Sequence, residues 1–208
     1  MRLTEVLDEK TMGAGAFCAL TMQNADTIRD WRRQGLLDWC GSQGENGRWA
    51  YSVADCVNIW IGVRLAGPSQ MNYPLKQAFH MASLKRDNVM AIVADNFWGD
   101  FEDVVNETEP PYSKIDRSKF FVFAQDWRKS PSQIDFMRTY DVANLGNIPN
   151  SDWDSITVLN IGRFAEIMPD MLKSQVIMRV EVYREMLSEA LTKNSFFRAT
   201  FQEKGGDA

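Results

Sequence analysis

The sequence holds a single histidine, His80, among 208 residues, and only three cysteines, Cys18, Cys40 and Cys56. His80 lies between Phe79 and Met81 on an apolar stretch, the setting of a structural histidine, and no histidine-based triad has evident partners. The cysteines stand 22 and 16 residues apart with no C-x-x-C pair. That spacing suits neither a disulfide framework nor a zinc-ligand cluster, so they read as reduced, packed thiols. Also missing are a Gly-rich phosphate loop, a dinucleotide fingerprint and a nucleophile elbow. The acidic pairs Glu102-Asp103 and Asp152/Asp154 are sequence neighbours, with no sign of the convergence that magnesium binding or acid–base work requires. Catalytic residues, metal ligands and cofactors are therefore not expected, and the chain is not read as an enzyme. No run approaches the roughly 18 apolar residues that would span a bilayer. Met1 to Thr11 lacks the apolar centre of a signal peptide, so the expected location is the cytoplasm, away from membranes.

What is present is a foldable composition, 45% hydrophobic and 12% aromatic, enough to bury one substantial core or two small ones. The net charge of −5 argues at first against a nucleic-acid partner, because phosphate binding is dominated by Lys and Arg. Its distribution changes that inference. Residues 13–90 hold eight Lys/Arg against six Asp/Glu, whereas residues 91–208 hold thirteen against nineteen. The acid is concentrated in the C-terminal part, and the N-terminal part is free to meet a polyanion.

The first 90 residues read as short helices broken by polar or Gly-rich turns. Glu107 to Ser113, with Pro110 and Pro111, ends whatever precedes it, which places a domain boundary between residues 1–106 and 107–208. Beyond it, Lys119 to Ala124 and Ser155 to Ile161 are strand-length apolar runs separated by turn-rich sequence. From Pro169, Leu172, Val176, Val180, Tyr183, Leu187 and Leu191 recur at helical spacing, predicting a helix of about six turns. Alternation of Val176, Met178, Val180 and Val182 leaves a strand open over part of it. The expected class is α+β, with a C-terminal α+β region ending in a long helix.

The informative segment is Ala16 to Leu84. Ala16, Phe17, Ala19 and Leu20 form a short apolar helix face, and Asn24 is a good N-cap for a second helix over Ala25 to Gln34. On that helix Ile28 and Trp31 anchor the core, leaving Thr27, Arg29, Arg32 and Arg33 for other faces until Gly35 closes it. Asp38 to Tyr51, with Gly41, Gly44, Gly47 and the pair Glu45-Asn46, reads as a β-hairpin flanked by Trp39, Trp49 and Tyr51. Ser52 then caps a helix that ends at Gly67-Pro68, and a further helix follows from about Tyr73 to Lys85.

Asn24 to Leu37 (NADTIRDWRRQGLL) followed by Gly47 to Asp55 (GRWAYSVAD) resembles the MerR family of winged helix-turn-helix transcription regulators. The resemblance covers about 70 residues, roughly one third of the chain. It implies a sequence-specific, dimeric regulator of bacterial type that docks a recognition helix in the major groove of double-stranded DNA and rests a wing on the backbone. By position it implies that Thr27 and Arg29 face DNA on the helix and that Gly47, Tyr51 and Ser52 form the wing and its exit, with Tyr51 among the DNA-binding residues. Asn24, Arg32, Arg33, Arg48 and Trp49 complete the expected DNA-binding set. Two departures stand out: Arg32 occupies a usually acidic position, and Arg48 precedes Trp49, one place earlier than the common order. Trp31, Trp39 and Trp60 are expected to pack rather than to stack on bases. The acidic C-terminal half is expected to dimerise or to sense a small-molecule effector not identified by sequence. The alternative is a winged-helix protein-interaction module presenting Trp39 and Trp49, or a phage-type repressor or excisionase-like DNA-binding protein without effector sensing.

Overall fold

The computed structural model describes residues 3–67, 73–99, 120–125, 136–140 and 155–204. The chain opens with α1 (Leu3–Leu7), which buries Leu3, Val6 and Leu7, and a two-residue strand β1 (Met12–Gly13). Helix α2 (Ala14–Thr21) turns Phe17, Leu20 and Thr21 inward. Ala16 and Ala19, expected on that face, are exposed, because the three- and four-residue steps from Phe17 lead to Leu20 and Thr21 instead. Met22 ends the helix in the left-handed conformation at φ 59°, and two residues later Asn24 starts α3 (Ala25–Arg33).

A hairpin of β2 (Ser42–Gln43) and β3 (Trp49–Tyr51) follows, with Ser42 opposite Ala50 and Gln43 opposite Trp49. Gly41 and Gly47 both adopt positive φ here, as the turn and its approach require. Strand β1 adds to the other side of β3, with Met12 opposite Tyr51, giving an antiparallel sheet in the order β1-β3-β2. Helix α4 (Val53–Ala66) leaves β3 directly through a capping box at Ser52 and Asp55. It is buried on almost every side, as its apolar sequence demands. Helix α5 (Leu75–Trp98) packs against it so closely that Gly62 has no room for a side chain: a Cβ there would meet Phe79 Cδ1 at 2.3 Å. This helix runs thirteen residues past the expected end at Lys85. The polar run Lys85-Arg86-Asp87-Asn88 is a half-buried turn within it, with Arg86 paired to Asp8 and Asp87, after which Val89 to Ala94 return to the core.

A second antiparallel sheet has the order β5-β4-β6, from β4 (Phe120–Gln125), β5 (Phe136–Tyr140) and β6 (Ser155–Asn160). The strands expected near Lys119 to Ala124 and Ser155 to Ile161 are present, and β5 was not anticipated. Asn160 ends β6 and caps α6 (Ile161–Ile167), accepting the Arg163 N–H at 2.9 Å. Helix α7 (Asp170–Lys204) is continuous through Val176 to Val182, so the strand alternative there fails, and at 35 residues it exceeds the six turns expected. The chain is thus a mixed α and β fold with small antiparallel sheets.

The core is shared by both ends of the chain. Leu172, Val176, Val180 and Tyr183 of α7 are buried together with residues of α1, α4 and α5, and Phe164 of α6 meets Trp60 of α4 edge-on at 6.1 Å. Arg179 of α7 reaches back to Glu9 at 2.7 Å and to Thr11. The expected domain boundary near residue 106, the Glu102-Asp103 pair and Asp152/Asp154 lie outside the described residues. Among those residues, no helix is long and apolar enough to cross a membrane.

Candidate nucleic-acid interface

Helix α3 is short, polar and capped, and its position is set by few contacts. Asn24 Oδ1 accepts the Thr27 N–H at 2.7 Å, satisfying one of the donors left open in a first helical turn. Ile28 is buried, and the half-buried Trp31 meets Phe79 of α5 edge-on at 5.3 Å. The opposite side carries Asp26, Arg29, Asp30 and Arg33. These are 82%, 72%, 50% and 79% exposed, so a partner could reach all four. Arg29 Nη1 donates to Asp26 Oδ1 at 2.6 Å, and Arg33 Nη2 donates to Asp30 Oδ1. Sequence reading found the two arginines and passed over the aspartates, although Asp→Arg pairs at i,i+3 are the spacing at which helix side chains meet.

Arg32 points the other way. Four residues after Ile28, it lies on the inward side of α3 and lays its guanidinium over the Trp49 ring, 3.4 Å from the centroid. Its Nη2 donates to the Cys40 carbonyl and to the Tyr51 hydroxyl, both at 3.2 Å. A charged, planar donor thus ties α3 to strand β3 and to Cys40, two residues before β2. Trp49 is half-buried beneath that guanidinium. Tyr51 is 2% exposed, and its ring stacks on Phe17 of α2 at 3.9 Å. Burial pushes the Tyr51 hydroxyl above its ordinary pKa, opposed by the hydrogen bond from Arg32. Arg32, Trp49 and Tyr51 therefore form the brace behind the surface on which Arg29 and Arg33 stand.

Arg48 is exposed near the hairpin turn, its N–H donating to Asn46 Oδ1 at 3.0 Å. The turn is closed by Gly44 N–H to the Arg48 carbonyl and by Gly47 N–H to the Gly44 carbonyl, both at 2.9 Å. The base of the hairpin is fixed by Asp55. This buried carboxylate accepts the Ser52 N–H at 2.9 Å, the Gly41 N–H at 3.2 Å and Lys10 Nζ at 2.7 Å. One side chain so joins the segment before β1, the hairpin and the start of α4.

The remaining expected residues divide by burial. Trp60 is 3% exposed and Trp31 half-buried, whereas Trp39 is 41% exposed with its Nε1–H bonded to the Leu36 carbonyl at 3.0 Å. His80 is exposed on α5, although Phe79 and Met81 beside it are buried. Cys40 and Cys56 are fully buried and Cys18 half-buried; all three are free thiols. Beside the end of α3, a half-open cleft of about 640 Å3 lies against α5, bordered by Lys10, Trp39, Lys76, His80 and Arg86.

No protein-family model matches the chain, and no curated protein matches it. The functional reading therefore rests on the geometry above and on the resemblance of its local sequence.

Proposed function

We propose that the protein is a dimeric, sequence-specific DNA-binding regulator whose N-terminal part is a winged helix-turn-helix of MerR-like type. In this reading α3 is the recognition helix, held across α2 by the turn at Met22 and Gln23, and β2–β3 is the wing. The observation that carries it is the division of labour on α3: Arg29 and Arg33 stand on an open face while Arg32 locks that helix to the hairpin. A capped helix tied by a side chain to a neighbouring hairpin suits major-groove docking with a backbone-resting wing. Arg48 near the wing turn and Thr27 near the α3 N-terminus then contact phosphates.

Dimerisation belongs to α7. Flanking its buried face, Met171, Met178, Val182 and Met186 form an exposed stripe at spacings of seven and four residues, the pattern of a helix that pairs with another helix. The effector expected from the sequence fits the cleft between the end of α3 and α5, whose volume of about 640 Å3 suits a small molecule. That assignment moves the effector from the C-terminal half to the flank of the recognition helix.

The test is DNA binding by the intact protein and by the Arg29→Ala/Arg33→Ala variant, followed across a salt titration. Loss of sequence-selective affinity supports the reading, and unchanged affinity overturns it. The exposed Trp39 favours the interaction-module reading, and co-purification of a stoichiometric protein partner with no DNA retention would establish that instead.

A further inference from the structure

The outward face of α3 carries two arginines and two aspartates and is therefore electrically neutral. A surface that binds by neutralising phosphates has an excess of Lys and Arg, and a carboxylate set against the backbone repels it. Asp26 and Asp30 thus work against a phosphate-binding role for this face. They fit the edges of bases. In the major groove a G·C pair presents two adjacent acceptors on guanine, O6 and N7, and a donor on cytosine, N4–H2. An arginine satisfies the first two and a carboxylate the third, whereas an A·T pair offers no two adjacent acceptors on one base.

Each aspartate engages one nitrogen of its arginine, Nη1 of Arg29 and Nη2 of Arg33, and the guanidinium has five N–H donors, so others remain open to a second partner. The carboxylate also restrains the fork, lowering the entropy lost when it closes on a base. The two pairs are offset by four residues, or about 6 Å along the helix. With base pairs stacked at about 3.4 Å, that offset corresponds to about two base-pair steps.

We infer that the Asp26–Arg29 and Asp30–Arg33 pairs are the sequence-reading elements of the protein, each recognising one G·C base pair, so that every half-site carries two guanines about two base pairs apart. This rests on the DNA-binding reading above. Arg29 and Arg33 each take a guanine, and Asp26 and Asp30 accept from cytosine N4–H2 while holding the arginines in place. Removing an aspartate then loosens selectivity and frees its arginine for phosphate, so non-specific binding rises.

The test is selection of the full-length protein against a randomised duplex library, with sequencing of the bound DNA and repetition using Arg29→Ala, Arg33→Ala and Asp26→Ala/Asp30→Ala. Expected is a motif with two guanine columns at this separation, one flattened by each arginine substitution. The aspartate variant should bind scrambled DNA more tightly with a steeper salt dependence. Replacing either guanine by 7-deazaguanine, which lacks the N7 acceptor, should weaken the intact protein about tenfold and leave the matching arginine variant unaffected. A selected motif in which those columns are A·T or uninformative overturns this inference and leaves DNA binding standing. Absence of any selected or retained duplex overturns the DNA-binding reading and this inference with it. All four side chains are solvent-exposed, so the variants are expected to fold, which circular dichroism verifies.

Discussion

Replacing Arg32 by alanine should loosen the hairpin from α3 without touching the outer face of that helix. The substitution removes donors to the Cys40 carbonyl and the Tyr51 hydroxyl, each at 3.2 Å, and the stack on Trp49. Hydrogen bonds from a charged group contribute about 1.5–3 kcal/mol each when well formed, and a cation over an aromatic ring about 0.5–2 kcal/mol. Arg32 is half-buried and its bonds, at 3.2 Å, are at the long end of the usual range, so values below the low ends of these ranges apply to the bonds. The sum is about 3 kcal/mol. For a chain of this size that lowers Tm by roughly 6–12 °C. Arg32→Lys keeps the charge but loses the planar fork, and should recover less than half of the loss. Thermal melts of the three proteins give the totals, and amide exchange at Gln43 and Trp49 should quicken more than exchange within α5. A Tm within about 2 °C of the parent for Arg32→Ala would show that the brace contributes little, and equal stability of the lysine variant would show that charge alone matters.

Four further outcomes follow from the packing. Gly62→Ala forces a Cβ into Phe79, and urea denaturation should register a loss of about 2 kcal/mol or more. Ser52→Ala removes the cap of α4 and should cost about 1 kcal/mol by the same measurement. Burial, aided by the nearby Asp55 carboxylate, raises the Cys40 and Cys56 thiols above their ordinary value of 9.0. Below that pH both folded and unfolded chains keep the thiol protons; above it the unfolded chain releases them first, so stability falls as pH rises, by about 1.4 kcal/mol per thiol per pH unit. Cys56→Ala should shallow that decline between pH 9 and 10.5 without abolishing it. Met178→Glu on the outer stripe of α7 should convert a dimer to a monomer in light scattering, and an unchanged mass would remove α7 as the dimer contact.

Local chemistry made much of the N-terminal part legible in the sequence. Asn24 and Ser52 mark helix starts through side-chain bonds that span three residues, and Gly47 marks a turn through its own backbone, so these were readable without knowledge of the rest of the fold. Strand β1 was not readable, because two residues, Met12 and Gly13, become a strand only by pairing with Tyr51 and Ala50. The full length of α5 was hidden because Lys85 to Asn88 imitate an end; Arg86 pairs there with its neighbour Asp87 and with Asp8, which only the fold brings near. The direction of Arg32 could have been found: four residues from buried Ile28, it had to share that side of the helix. Its partners Cys40 and Tyr51, eight and nineteen residues on, could not be inferred from helix spacing. The cleft beside Trp39 was equally invisible, since residues from Lys10 to Arg86 meet there only in three dimensions.

The central claim is that α3 reads DNA, and fluorescence anisotropy of the full-length protein on labelled duplex from its own upstream region tests it most directly. The titration is run at about 50 and 200 mM salt with scrambled competitor. The account predicts tight binding that weakens with salt, survives scrambled competitor, and is lost when Arg29 and Arg33 are both replaced by alanine. Binding that is absent at both salt concentrations, or indifferent to those two arginines, would contradict it.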